Sequence, residues 1–524
     1  MSAPIRLDVY SHNFSVIPRD MNSKVSAYEY ARRMTEYELQ WQGGRYPVRV
    51  PVRCYAVADK ARTYFRFHRN QLDDFINYMA KEGYNRESFE RVDHQPQPGV
   101  PIQLTLKPGW APREHQVPVV EYLAKEQPCH VLPLQTGMGK TFCALYGAYK
   151  YGRRFELMIP AQYLEKWEAD LTKHFELEDK DVLVIQGGKA LIRAMEMAVN
   201  NEIPTLKALL ISSNTYRNYL SECEASANGR SIYPFAPHEW NDRMQTGLRI
   251  TDEVHENFHL NYRIEMYANL ATTYNLSATI VTSVPVVKKM YDIIYPKSCW
   301  PEGMEYNRYT DLYAYAYAIS NPDKLKHTVR GRKSYNHVEF EKSILKNKAY
   351  LEQYLELVEW VFNEDFLQHQ KSGQRALIFA ASIEMCGKIK AFLKRRHPRL
   401  DIERYVGEDS FTVLEKAEII VSTLQSAGTA VDIDDLMYVL NTVSSNSEKQ
   451  NLQSFGRIRK PKKWLEQTPR YSYTYCRGIR KQAEYHDNKL VLFNNKATKI
   501  VVRDLGIRLN TGDRPHWQHR GAVL

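Results

Sequence analysis

The stretch QTGMGKT, from Gln135 to Thr141, carries the residue types that hold phosphate. Gly137 and Gly139 let the backbone approach phosphate oxygens and aim N–H groups at them. Thr136 and Met138 complete the loop, and the helix behind it adds its positive end. Lys140 would reach the β- and γ-phosphates of a nucleotide, and the Thr141 hydroxyl would bind magnesium. Further along, DEVH sets two carboxylates side by side after the apolar segment LRIT. Asp252 would hold the same magnesium, mostly through water, and Glu253 would orient and deprotonate an attacking water. His255 either contacts the second α/β set or the LSAT segment that follows, or is a structural histidine. QSFGRIRK, from Gln453 to Lys460, follows much later. Phosphoryl transfer needs positive charge on its transition state, and Arg457, Arg459 and Lys460 are the candidates. One Gly-rich loop alone would mean little. These pieces in this order predict a phosphoryl-transfer site.

Such groups need a scaffold that gathers them. From about 104 to 300, short apolar strands alternate with amphipathic helices. HVLPL leads into the Gly loop and FCALYGAYKYG follows it; FELMIP leads into a helix from about Leu164 to Phe175. DVLVI, ALLISS and GLRIT are further strands, and this alternation predicts a parallel sheet covered by helices. DEVH then falls at the C-terminal end of a strand, where α/β sheets bind ligands. A second α/β set spans 346–524. It has a long helix from about Lys346 to His369, then strands RALIFAA, EIIVST and LMYVLNT. Between the sets, 301–345 reads as an irregular, Tyr-rich and basic connection. Residues 1–103 read as a separate small α+β domain. In it, PVRVPVRCYAVAD is β-rich, and helical spacing begins near Asn70 with Leu72, Phe75, Ile76 and Met79. HQPQPGVP marks its boundary.

The bulk composition is that of a soluble globular protein, with 43% apolar and 25% charged residues among 524. That length predicts about three domains. A formal charge of +11 favours a polyanionic partner. Seven scattered cysteines without a CxxC pair predict reduced thiols in a cytosol-like compartment, with neither a zinc site nor a disulfide framework. No apolar run approaches the ~18 residues of a membrane span. Tyrosine is abundant, at 36 residues, and clusters at Tyr306–Tyr317. These side chains serve either interfacial packing or stacking on unpaired bases.

The ordered motifs resemble those of superfamily 2 helicases over about 105–495. The resemblance implies two RecA-like lobes in tandem, ATP and Mg²⁺ as ligands, and a nucleic-acid strand laid across the lobes. It assigns Gln116, in PREHQ, to adenine reading. IPAQYLEKW is similar to the first strand-contacting motif, with Pro160 and Gln162 as contacts. In that motif Lys166 replaces the usual Gln, and Trp167 comes one place early. Ser213 and Thr215, in ISSNTY, resemble the next contact. Ser277 and Thr279, in LSAT, match the element that links hydrolysis to strand movement, and His255 joins them as a coupling residue. Phe379 and Ser382 fall in the fourth motif. Thr423 and Asp432 fall in the fifth, where Ala430 replaces a Gly. In the sixth motif Gln453, Gly456 and Arg457 map directly, whereas Lys460 stands where an Arg is usual. The arginine finger is therefore left open among Arg457, Arg459 and Lys460.

DEVH and the P-x-x-x-L-x-x-W spacing lie nearest the DNA-directed branch. The N-terminal arrangement resembles that of UvsW-type phage recombination helicases. That implies fork regression, branch migration and D- or R-loop dissolution on branched DNA, by a monomer in the host cytosol. An RNA helicase, or a duplex translocase that moves without unwinding, is the alternative. On this view residues 1–103 bind DNA, and their removal weakens junction binding more than basal ATPase.

Overall fold

The computed structural model describes residues 3–40, 46, 48–134, 138–226, 231–277, 285–302, 308–328, 335–407, 409–410, 412–426 and 433–511. The chain divides into two compact units, Met1–Met304 and Glu305–Leu524. Among the described residues, no helix is long and apolar enough to cross a membrane.

The first unit begins with β1 (Ile5–Val9) and β2 (Asn13–Pro18), followed by an exposed hairpin of β3 (Thr35–Gln40) and β4 (Val48–Cys54). Then come β5 (Val57–Ala58), β6 (Phe65–His68) and β7 (Phe89–Asp93). Apart from the hairpin, these strands form a five-stranded sheet in the order β5-β6-β2-β1-β7. Helix Leu72–Lys81 packs its apolar face, Leu72, Phe75 and Met79, into the core.

A short ribbon pairs β8 (Thr105–Leu106) with a later segment. β9 (Cys129–Leu132) and β10 (Phe155–Ile159) then open the lobe sheet. β11 (Phe175–Glu176) closes that ribbon, and β12 (Val182–Ile185), β13 (Ala208–Ser212), β14 (Leu248–Thr251) and β15 (Thr272–Leu276) complete the sheet. Its six strands run parallel in the order β12-β13-β10-β14-β15-β9. Most are continuous apolar runs because helices cover both faces. One polar exception crosses the sheet. Arg249 on β14 donates to Glu156 on β10 at 2.7 Å, and Trp240 and Thr246 also donate to that carboxylate. Arg249 and Glu156 are fully buried, so their charges must be satisfied by each other and by these donors.

The N-terminal sheet is fastened to this lobe. Asn13 donates to the carbonyls of Glu265 and Ala268, and His12 Nε2 donates to Pro128. Tyr262 donates to Gln71 at 2.9 Å, while Tyr55 lies edge-on to the Tyr262 ring. Phe14, Phe67 and Phe75 share one continuous apolar core with Tyr216, Trp240 and Tyr262. Residues 1–103 therefore differ from the free-standing domain read in the sequence.

The second unit has a seven-stranded parallel sheet. Its strands are β16 (Asp311–Ile319), β17 (Arg375–Ala380), β18 (Ile402–Tyr405), β19 (Ile419–Thr423), β20 (Leu436–Asn441), β21 (Arg470–Cys476) and β22 (Ile500–Leu509). The order is β18-β19-β17-β20-β21-β16-β22. This corrects the reading of 301–345 as a bare connection. β16 lies inside the sheet, between β21 and β22. Tyr313, Tyr315 and Tyr317 are buried there, so packing is their role, not stacking on bases. The long helix runs Lys348–Asp365 and ends in a 3₁₀ turn, Leu367–His369. The fold is thus α/β: two parallel-sheet lobes in tandem with a small α+β N-terminal part.

Candidate nucleotide site

Helix Lys140–Tyr151 starts at the mouth of the first lobe's sheet, just after β9. Its N-cap, Gly139, has φ +81°, the left-handed region that a side chain disfavours. A Cβ at Gly139 would lie 2.3 Å from Gln116 Nε2, so the loop has room only for glycine unless Gln116 moves. Gln116 is buried. It accepts from the Arg113 N–H at 2.9 Å and donates to the Met138 carbonyl at 3.2 Å. It therefore braces the phosphate loop. The first N–H groups of such a helix have no partner within it and face an anion. Thr141 is half-buried in that first turn.

DEVH follows β14. Glu253 has φ +47°, an uncommon conformation for a non-glycine residue and one that clusters at functional sites. The Val254 N–H donates to the Leu276 carbonyl at 3.1 Å, and its own carbonyl accepts from Asn261 at 2.8 Å. The loop is thus pinned on both sides. Glu253 reaches the start of helix Lys140–Tyr151, where Lys140 Nζ lies 3.5 Å from its Oε1. Burial, and then the charge of Glu253, push the Asp252 carboxyl above its usual range, while Lys140 opposes the shift. Two adjacent half-buried carboxylates, one of them 3.5 Å from the Lys140 ammonium, with Thr141 next in the same helix turn, form a donor set suited to a magnesium-bound polyphosphate.

His255 Nδ1 lies 2.7 Å from Ser277 Oγ and 3.2 Å from Glu253 Oε2. His255 therefore contacts the LSAT segment through Ser277. Ser277 is fully buried, and its N–H donates to the Leu132 carbonyl. Thr136, Gly137, Thr279 and Asp432 lie outside the described residues.

The expected strand contacts divide. Pro160 and exposed Gln162 stand at the C-terminal end of β10. Ser213 is buried in the first turn of helix Ser213–Ala225. Thr215 is buried too, and its hydroxyl accepts the Gly187 N–H at 2.8 Å, so it holds a turn in place. In the second unit Phe379 is a correction. Its side chain is fully buried among core residues of β17 and β20, out of reach of a nucleic acid. Ser382 caps helix Ile383–Arg396 and donates to Glu341 Oε2 at 2.6 Å. Glu341 also accepts from the Ala381 and Ser382 N–H groups, and burial pushes its carboxyl up to about 7. Sequence reasoning missed this carboxylate, because nothing near 341 marks it. Thr423 is buried, and its hydroxyl donates to Ser426 Oγ at 2.9 Å. It ends β19 and lines a cavity of about 790 Å³ with Tyr335, Tyr405 and Tyr485.

Gln453 sits part-exposed on helix Glu448–Phe455, and Arg457 is buried just beyond it. Arg459 lies near Tyr309, with its guanidinium lowered by burial, and Lys460 is exposed.

No family model and no curated protein matches the chain. Among solved structures, it is similar to the helicase domain of Hef from Pyrococcus furiosus, with a TM-score of 0.42 and 14% identity. That match covers 72% of this chain and 98% of the other. It is also similar to UvsW of T4, with a TM-score of 0.34 and 12% identity, over 98% of this chain and 100% of that one. Likeness at this level says nothing of activity, which must be read from the site itself.

Proposed function

We propose that this chain is an ATP-hydrolysing motor of superfamily 2 that moves on DNA and remodels branched DNA. The observation that carries the reading is the convergence of Lys140 with Glu253, 3.5 Å apart, at the ends of parallel strands. In this reading the Gly139 turn and Lys140 bind the phosphates, and Thr141 and Asp252 hold magnesium. The metal, when bound, neutralises charge on the transferring phosphoryl group. Glu253 takes the proton of the attacking water, and the His255–Ser277 contact carries the state of the site into the following segment. The DEVH box, the Pro160-to-Trp167 spacing and the formal charge of +11 support DNA as the polyanion. Branched DNA is supported by the N-terminal arrangement alone.

Strand displacement from forked and four-way DNA, run beside matched RNA, tests the substrate. Release of DNA strands, with RNA left intact, is the expected result. Preference for RNA would make the chain an RNA helicase. ATP-driven movement without strand release would make it a duplex translocase.

Arg457 is the proposed finger. Its fork can bind two phosphate oxygens, and the buried neighbours Phe455 and Ile458 fix its base. Arg457→Ala is expected to slow hydrolysis by about 10³-fold or more. Lys460→Ala should cost far less in the same steady-state assay. The reverse order would transfer the role to Lys460.

A further inference from the structure

Trp167 is almost fully buried, yet its indole N–H does not end in the core. It donates to Asp252 Oδ2 at 2.9 Å. The other oxygen, Oδ1, accepts the Glu253 N–H at 2.9 Å. Both oxygens of this carboxylate are therefore fixed, and one of the two anchors belongs to a different motif. The anchor's helix, Leu164–His174, is held down by Leu164, Trp167 and Leu171. Its outer face, with the turn before it, presents Gln162, Glu165 and Lys166 to solvent. One short turn thus joins an exposed polar face, at the end of β10, to the half-buried Asp252 carboxylate.

We propose that Trp167 is a positioning residue that orients Asp252 for the divalent cation, and that a polyanionic strand seated at Gln162 and Lys166 is sensed at the metal through this hydrogen bond. The inference rests on the nucleotide-site reading above. A buried indole N–H requires an acceptor, and a carboxylate is a strong one. Removing it leaves Asp252 with one anchor and frees its plane to rotate. Groups that orient a metal ligand in this way change metal affinity by about 10–100-fold when removed. Pro160 and the buried Tyr163 and Leu164 make the turn stiff, so a shift of the outer face moves the indole with it.

The test is a magnesium titration of fluorescent-ADP binding by the full chain, with and without a single-stranded DNA oligonucleotide. In the wild type, half-saturation should fall to lower magnesium when the oligonucleotide is present. In Trp167→Phe it should rise at least several-fold and no longer respond to the oligonucleotide, while nucleotide binding without magnesium is unchanged. Thermal melting checks the fold of the variant. Should Trp167→Phe melt early, the benzothiophene analogue of tryptophan at 167 replaces N–H by S at nearly the same shape. It should give the same magnesium shift. A titration identical to wild type in a folded variant overturns the inference and leaves the nucleotide site standing. No magnesium-dependent nucleotide binding in the wild type overturns the nucleotide-site reading itself.

Discussion

Glu253→Gln is expected to lower ATP turnover by about 10²–10⁴-fold while nucleotide and DNA binding persist. The substitution keeps the size of the side chain and removes only its capacity to take a proton. The carboxylate is placed for that task. Its backbone is held in the left-handed region at φ +47°, one oxygen lies 3.5 Å from Lys140 Nζ, and the other lies 3.2 Å from His255. Asp252 beside it is half-buried and held by Trp167 and by the Glu253 N–H, which suits it to hold a cation rather than to move a proton. The neighbouring carboxylates are thereby given different tasks by their surroundings. Lys140→Ala should abolish turnover by another route, through lost phosphate binding. Steady-state hydrolysis, paired with binding of a fluorescent nucleotide, separates the two. Normal turnover in Glu253→Gln would remove it as the base.

Removing residues 1–103 is expected to collapse the first unit, with hydrolysis and DNA binding lost together. The sequence alone suggested a detachable module, but the structure gives the opposite expectation. Tyr262 is fully buried against Tyr55 and Gln71, and truncation would open that face to water. Each large apolar side chain so exposed costs about 1.5–3 kcal/mol, and several are involved, against a total domain stability of about 5–15 kcal/mol. The loss also reaches the active loop. Tyr262 shares its helix, Phe258–Glu265, with Asn261, and Asn261 holds the Val254 carbonyl of DEVH. Circular dichroism melting and limited proteolysis of 104–524 check this. A cooperative melt with basal ATPase intact, and only junction binding reduced, would restore the picture of a separate accessory domain.

The parts legible in the sequence share one property, which is that their signal is local. β10, β13, β17 and β19 read correctly because strands covered on both faces are unbroken apolar runs between turns. The GMGKT and DEVH segments stand out in the sequence because phosphoryl-transfer chemistry demands fixed residue types at short spacing. β16 was misjudged although its pattern was present. Tyr313, Tyr315 and Tyr317 alternate with Leu312, Ala314 and Ala316, and the two sets enter different cores on opposite faces of the sheet. Tyrosine suits both surface and core, so the period-two pattern passed for an aromatic cluster. Phe379 was misjudged for the reverse reason. Its place in a motif drew attention from the apolar run around it, which buries every residue of β17. The seating of the N-terminal sheet was not legible at all. Gln71 and Tyr262 lie 191 residues apart, and no local pattern reports such a pairing. Trp167 falls between these cases. Its spacing with Leu164 and Leu171 marks it as buried, and a buried indole needs an acceptor, but only the fold identifies that acceptor as Asp252.

If Lys140, Asp252 and Glu253 form the engine of a motor driven on DNA, ATP hydrolysis by the chain must respond to DNA. The most direct test is ATP hydrolysis by the full chain at fixed low salt. It is measured alone and then with single-stranded DNA, duplex, fork, four-way junction and RNA. Weak basal hydrolysis that DNA raises strongly, with forked or four-way DNA above plain duplex, is the expected result. Absence of hydrolysis under every condition would contradict it and leave a nucleic-acid-binding protein without a motor.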